Sequence, residues 1–473
     1  MTYACNCRSL ISLLRNPAKA SQNLKSGVVS SDTLHTAMNI ALFPPLFFFS
    51  GLFYTDVLST CVVLKTYELF LRRRGGAENS GAGLGWLYVA GVVALTMRQT
   101  NIFWVAIFMG ALEAVRSVKA NKSSVFAAEP VPKTLQEQVV SSIKQWSRGD
   151  IHDIPLSEAG VHGKCPVSSS SSNTHIRSDF ALSALSIAIA IISKPLLIIT
   201  HLWPYIALLF SFAAFVFWNG GVVLGDKSNH VATIHLPQML YIWPFIAFFS
   251  APLLLPVGLS LLQSFVSSGF SKPVWKYALN GVYITGALVV TLAIVKYNTI
   301  IHPFTLADNR HYVFYIFRYS ILRHPLIRYL VTPIYLGCAY LAFLTLAGPS
   351  SPSSSPSKKP TTLEQAAKAR KSDPVHESGP TTSFLLILLA TSALSLITAP
   401  LVEPRYFIIP WVMWRLHVPS NARSQGKGKG GYDWRLWGET AWFLVVNGVT
   451  GWVFLYRGFE WMQEPGVVQR FMW

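Results

Sequence analysis

In a largely apolar chain, the stretch HPFTLADNRHYVFYIFR, His302 to Arg318, sets His302, Asp308, Asn309, Arg310, His311 and Arg318 among aromatic residues. Between His302 and Tyr329 it carries four arginines, Arg310, Arg318, Arg323 and Arg328. Arginine presents a planar fork that suits phosphate oxygens, and an aromatic-rich amphipathic segment can lie in the headgroup layer of a bilayer. Together these residues describe a site for a lipid whose head is a phosphate. Four further compact polar clusters stand between apolar runs: Tyr54-Thr55-Asp56, Arg98-Gln99-Thr100-Asn101, the segment holding Asp226, His230 and His235, and Glu403-Pro404-Arg405-Tyr406. Asp226, His230 and His235 are spaced by four and then five residues, which would put metal ligands on one face of a helix. Pro237 and the neighbouring glycines make a loop the better reading, so no metal site is expected.

The elements that position these clusters follow from composition. Of 473 residues 51% are apolar or aromatic and only 13% are charged, against about 25% charged in soluble domains, and the mean hydropathy is +0.39. Apolar runs of roughly 20 residues, the length that crosses a bilayer, recur from about Met38 to the C-terminus. They are continuous rather than alternating, and backbone satisfaction in lipid then calls for helices. The expectation is an all-α polytopic membrane protein of about eleven transmembrane helices. The net charge of +18 does not imply nucleic acid, because Lys and Arg fall mostly in the connections between apolar runs, a topological pattern. Cys5, Cys7, Cys61, Cys165 and Cys338 show no metal-ligand spacing and read as unpaired thiols.

Residues 1–37, with Arg8, Arg15, Lys19 and Lys25 and a short apolar patch at Leu10 to Leu14, read as a cytosolic N-terminal segment. Residues 38–115 read as transmembrane helices: a first from about Met38 to Leu52, a second ending at Arg72-Arg73-Arg74, a third from about Leu84 to Arg98 and a fourth from Ile102 to Ala114. Residues 116–180 form a polar connection with a serine run at 168–172, read as a low-complexity cytosolic loop. Phe180 to Ser193 either lies in the interface or extends the next span, because Lys194-Pro195 interrupts the pattern. Residues 181–347 hold further spans, about Leu196 to Trp218, Met239 to Leu262, Tyr277 to Val295 and Tyr329 to Leu346. Residues 348–382 read as a second cytosolic low-complexity loop, and 383–473 as C-terminal spans. The GKGKGG run in the last region has neither a preceding strand nor a following GK[ST], so it reads as linker.

The triple arginine at 72–74 places its turn in the cytosol by the positive-inside rule, and counting from there puts all five polar clusters on the opposite face. The four arginines between His302 and Tyr329 break that rule. Either the topology flips there or they serve an anionic ligand, and flanking loops with Lys272, Lys276 and Lys358 to Lys371 favour the ligand.

Several motifs carry a family resemblance. LFPPLFFFSGLFYTDV, RQTNIFWV, the GDKSNH segment with His235-Leu236-Pro237-Gln238, LADNRHY, EPRYFIIPW and the terminal QRFMW, in order from about Asn39 to Trp473, resemble the endoplasmic reticulum α-1,2-glucosyltransferases that add the last glucose to the lipid-linked oligosaccharide. The resemblance implies a C-type glycosyltransferase fold in the endoplasmic reticulum membrane, with a lumenal active face. It also implies dolichyl-phosphate-glucose as donor, a diglucosylated dolichyl-diphosphate oligosaccharide as acceptor and no cofactor.

Such a transfer needs a carboxylate or histidine to take the acceptor proton and cations to stabilise the leaving phosphate. Arg310, His311 and Arg405 are assigned to the donor phosphate, and Asp226 and His230 are the candidates for the base. Asp56, Arg98, Asn101, His235, Asp308, Asn309, Tyr312 and Glu403 complete the candidate site. The family also resembles itself in an N-terminal helix and a first lumenal loop with an Asp-Glu pair followed by Phe-His. Nothing before Asn39 matches that loop, and Asp32 is the only acidic residue there, so the expectation is a member lacking that region and impaired without it. A transporter or a non-catalytic membrane partner is the rival class; a transporter would place ionisable residues at the bilayer midplane and show paired repeats, whereas here they stand at helix mouths.

Overall fold

A computed structural model describes residues 1–15, 29–73, 81–122, 134–159, 179–222, 233–268, 274–348, 379–399, 401–421 and 432–473. The first half comprises α1 (Thr2–Arg15), α2 (Ser31–Leu42), α3 (Pro44–Ser50), α4 (Asp56–Arg72), α5 (Gly81–Met97), α6 (Met109–Ala120), α7 (Leu135–Ser147), α8 (Asp179–Ser193) and α9 (Pro195–Asn219). It continues with α10 (Gln238–Phe249), α11 (Ala251–Ser268), α12 (Val274–Asn298), α13 (Pro303–Ala307), α14 (Tyr312–Ile316), α15 (Ile327–Leu330), α16 (Thr332–Ala347), α17 (Thr382–Leu396), α18 (Ile408–His417) and α19 (Arg435–Tyr456). A 3-10 turn at Gln99–Asn101 and a π-helical turn at Phe103–Phe108 lead into α6. The helical reading holds, with one addition. Strands β1 (Phe459–Trp461) and β2 (Glu464–Gln469) form an antiparallel hairpin after α19, a short element that apolar-run counting does not detect.

Prolines start several of these helices, at Pro44, Pro195 and Pro303, where the missing N–H is not needed and the fixed φ suits the first turn. Among the described residues, Gln99–Ala120, Pro195–Asn219 and Ile327–Ala347 are each long and apolar enough to cross a membrane. The run expected as one span from about Met239 to Leu262 is instead two helices, α10 and α11, bent by 94°. The chain turns at Ser250, whose hydroxyl accepts a 3.0 Å hydrogen bond from the Trp411 indole. The first span likewise starts earlier than read, at Ser31, and divides at Phe43.

The core is aromatic. Phe43 stacks on Trp411 at 3.7 Å between ring centroids, and Phe249 meets Phe43 edge-on at 5.1 Å. A buried polar clamp lies one helical turn from these aromatics. Arg415 of α18 donates to both carboxylate oxygens of Glu439 of α19, at 2.7 and 2.6 Å, with side chains 2% and 0% exposed. Asn39 of α2 donates to the same carboxylate at 2.8 Å. Helix α1 packs on α2 and α4 and sends Arg8 and Arg15 to the carbonyls of Leu416 and His417, at 3.1 and 3.0 Å. Cations at those last carbonyls complement the negative end of α18.

Candidate active site

Asp56 opens α4 and is 2% exposed. Its carboxylate accepts from the Arg98 guanidinium, delivered by the turn that ends α5. Asn101 fixes that turn: its side-chain amide donates to the Ser59 hydroxyl at 2.8 Å and to the Ala94 carbonyl at 2.7 Å. From the segment before α18, Arg405 pairs with Glu403. The Tyr406 ring meets both cations, with the guanidinium of Arg98 and that of Arg405 each 5.6 Å from its centroid. Burial alone would depress the Arg405 pKa, but the charge and hydrogen bond of Glu403 raise it above the usual arginine value. Two pairs read separately in the sequence thus share one aromatic partner.

A second cluster is built on LADNRHY. The Arg310 fork grips Asp308, with Nε at 3.0 and 3.1 Å from the two oxygens and Nη2 at 2.7 Å from Oδ2, while Nη1 donates to the Gln469 side-chain Oε1 at 3.2 Å. Partial burial would raise the Asp308 carboxyl, yet hydrogen bonds from the Arg310 side chain and backbone, with the His311 and Arg310 charges, hold it below the usual carboxylate value. Asn309 accepts from the Trp461 indole at 2.7 Å, and the Arg310 guanidinium sits 4.8 Å from the Trp461 ring. The Tyr54 ring, beside Asp56 in sequence, lies 5.9 Å from the Arg405 guanidinium.

The C-terminal residues complete this second cluster. Met472 pairs with the motif through two backbone bonds, Tyr312 N–H to the Met472 carbonyl at 3.1 Å and Met472 N–H to the Arg310 carbonyl at 2.9 Å. His311 Nδ1 is 3.1 Å from the Trp473 carbonyl, and the Tyr312 and Trp473 rings meet at 5.0 Å. Two motifs about 160 residues apart therefore form one structure, through Gln469, Met472 and Trp473. Gln469, Trp461, Tyr54 and Tyr406 were not among the sequence candidates, although QRFMW, EPRYFIIPW and the YTD turn contain three of them.

His235 stands apart from the charged pairs. It is fully buried; its backbone N–H donates to the Ile397 carbonyl at 2.8 Å, and Nε2 faces the Ile300 N–H at 3.4 Å. Burial pushes its pKa down to about 4. Here it ties three loops together as a neutral imidazole. Of the remaining arginines, Arg318 lies against Phe314 and Arg328 donates to the Tyr329 hydroxyl at 2.7 Å. Asp226 and His230 lie outside the described residues. No group of three or more His, Cys, Asp and Glu side chains among the described residues is arranged to hold a metal ion.

The chemistry available is anion recognition by arginines whose charge is balanced by neighbouring carboxylates. A phosphate would compete with Asp308 for the Arg310 fork, and charge-assisted bonds of this type are the stronger ones. The comparison with known sequences places this geometry in a lineage. The model of the DIE2/ALG10 family matches residues 2–416. The chain belongs to that family. The match begins well before Asn39, where the motif resemblance begins, and so takes in α1. A relative from Gibberella zeae is 39% identical, covering 99% of this chain and 79% of its own length. One from Pyricularia oryzae is 38% identical over 99% and 76%, and one from Mus musculus 30% identical over 93% and 72%. All three are named Dol-P-Glc:Glc(2)Man(9)GlcNAc(2)-PP-Dol alpha-1,2-glucosyltransferase. No solved structure matches the chain.

Proposed function

We propose that this chain transfers glucose in α-1,2 linkage from dolichyl-phosphate-glucose to the diglucosylated dolichyl-diphosphate oligosaccharide, the last step in assembling the precursor for protein N-glycosylation. The observation that carries this reading is the 39% identity over 99% of the chain to a relative named for that reaction. The arginine-rich face supports it, since a phosphate-linked donor needs cations at its leaving group. In this reading the bond from the glucose C1 to the phosphate oxygen breaks, and the acceptor 2-hydroxyl oxygen bonds to C1. The acceptor proton passes to a base, for which Asp226 and His230 remain the candidates, and dolichyl phosphate departs with the electron pair. Arg310, His311 and Arg405 hold the phosphate, with Arg98, Asp56, Asn101, Glu403, Asp308, Asn309 and Tyr312 shaping the site around it.

The same reading sets about eleven membrane-crossing segments in a C-type glycosyltransferase arrangement in the endoplasmic reticulum membrane, with the charged clusters on the lumenal face. Lipid-linked donor and acceptor both reach a site at helix mouths from within the bilayer. The deciding experiment expresses this chain in cells that accumulate the diglucosylated precursor. Appearance of the triglucosylated oligosaccharide is expected and would overturn the expectation that the chain is impaired without the Asp-Glu loop; its absence despite normal membrane insertion would overturn the assignment.

A further inference from the structure

At the end of the bundle opposite the charged clusters, α7 and α8 form a layer that turns large apolar side chains away from the protein. α8 is 15 residues, DFALSALSIAIAIIS, about 22 Å long at 1.5 Å per residue and shorter than the roughly 20 residues that cross a bilayer. Its contacts show where it lies. The Asp179 carboxylate is 3.1 Å from His152 Nε2, the Ser186 hydroxyl accepts from the His152 N–H at 3.0 Å, and the Ser183 hydroxyl accepts from Thr382 at the start of α17, at 3.1 Å. Just past its other end, Lys194 donates to the carbonyls of Asn121 and Arg148, at 2.9 and 2.8 Å, where α6 and α7 finish. A helix whose length touches successive helix ends runs across the bundle rather than through it.

In α8 the central serines face the protein and large apolar side chains face away; in α7 apolar side chains are exposed beside Gln136, Gln138, Lys144 and Gln145. In α8, Ser183 and Ser186 are buried whereas Leu185 is 51% and Ile192 76% exposed. In α7, which packs beside α8 and starts with a Thr134–Glu137 capping box, Val139 is 50%, Val140 59% and Ile143 44% exposed. Water is a poor solvent for such a face, whereas a helix with one apolar side is at home at the boundary of headgroups and acyl chains. The chain itself indicates which surface covers it. The exposed row does not stop at Ile192 but continues after Lys194 into Leu196 and Ile199 of α9, 80% and 54% exposed, on a helix long and apolar enough to cross the membrane and little buried within the protein.

We propose that α7 and α8 form an in-plane element, embedded in the leaflet at the end of the bundle opposite the charged clusters, with Val139, Val140, Ile143, Leu185 and Ile192 in the acyl-chain boundary. The occupant of this surface is the same bilayer that α9 crosses. The inference is independent of the proposed reaction.

The test uses the unmodified full chain in membranes containing a phosphatidylcholine with a photoreactive diazirine on its acyl chain. After irradiation, lipid adducts are mapped by mass spectrometry, with the peptide holding Leu196 and Ile199 as the internal reference for lipid exposure. Adducts on the peptides of Val139–Ile143 and Leu185–Ile192 at a yield comparable to the reference are expected. Labelling of the reference without labelling of both peptides would overturn the proposal. In that case, protection of the same peptides from a water-soluble carbene would identify a protein partner as the covering surface, and modification by it would identify solvent.

Discussion

Arg310 is committed before any ligand arrives. Three of its hydrogen bonds go to Asp308 and a fourth to Gln469, so its affinity for phosphate is set by competition within the site. Arg310→Ala removes charge-assisted bonds worth about 1.5–3 kcal/mol and should lower kcat/KM for the phosphate-linked donor by roughly 10- to 100-fold, with thermal stability little changed. Initial rates against donor concentration in membranes, beside a melting curve, check this. His235 gives a pH prediction. Its folded pKa of about 4 lies below the ordinary 6.5, so the unfolded chain binds the proton first and stability rises with pH through that interval. Stability should therefore fall as pH drops from 6.5 toward 4, and His235→Asn should flatten that part of a melting-temperature profile. An unchanged slope in the variant would show that His235 is not the titrating group.

At the level of elements, the hairpin and tail act as a brace for the loop that carries Asp308 to Tyr312. Truncation after Gln469 removes two backbone bonds, between Met472 and both Arg310 and Tyr312, and the Trp473 contacts of His311 and Tyr312. At about 0.5–1.5 kcal/mol per bond the loss should appear as roughly a 5- to 100-fold fall in kcat/KM, with the bundle still folded by circular dichroism. The Arg415–Glu439 clamp belongs to the same scale but governs stability. Glu439→Leu leaves a buried guanidinium without its counter-charge and should cost about 3–5 kcal/mol, while Arg415→Met with Glu439→Leu should recover most of it. Denaturation in detergent of the single and double variants measures the difference.

For the whole molecule, the sequence reading and the structure agree on class and diverge where distant segments meet. Low charge and repeated apolar runs were enough for a helical membrane protein, and the polar islands at Asp56, Arg98, Asp308 to Tyr312 and Glu403 to Arg405 stood out because each interrupts an apolar run. The break at Ser250 was not legible, since hydropathy averages across a single hydroxyl that the fold uses to receive Trp411. Nor was Glu439, one carboxylate in an otherwise apolar helix, whose partner Arg415 lies 24 positions away in another helix.

What the sequence determined by itself is local and compositional: which segments prefer lipid, where charge collects between them, and which motifs the family shares. Those properties depend on a residue and its near neighbours, so they survive without a fold. Only the tertiary structure decided that Arg98 meets Asp56, that the Tyr406 ring lies against both Arg98 and Arg405, and that the QRFMW tail closes on LADNRHY. Pairing across about 160 residues leaves no periodic trace in either segment, because the ends are brought together by the packing of the helices between them.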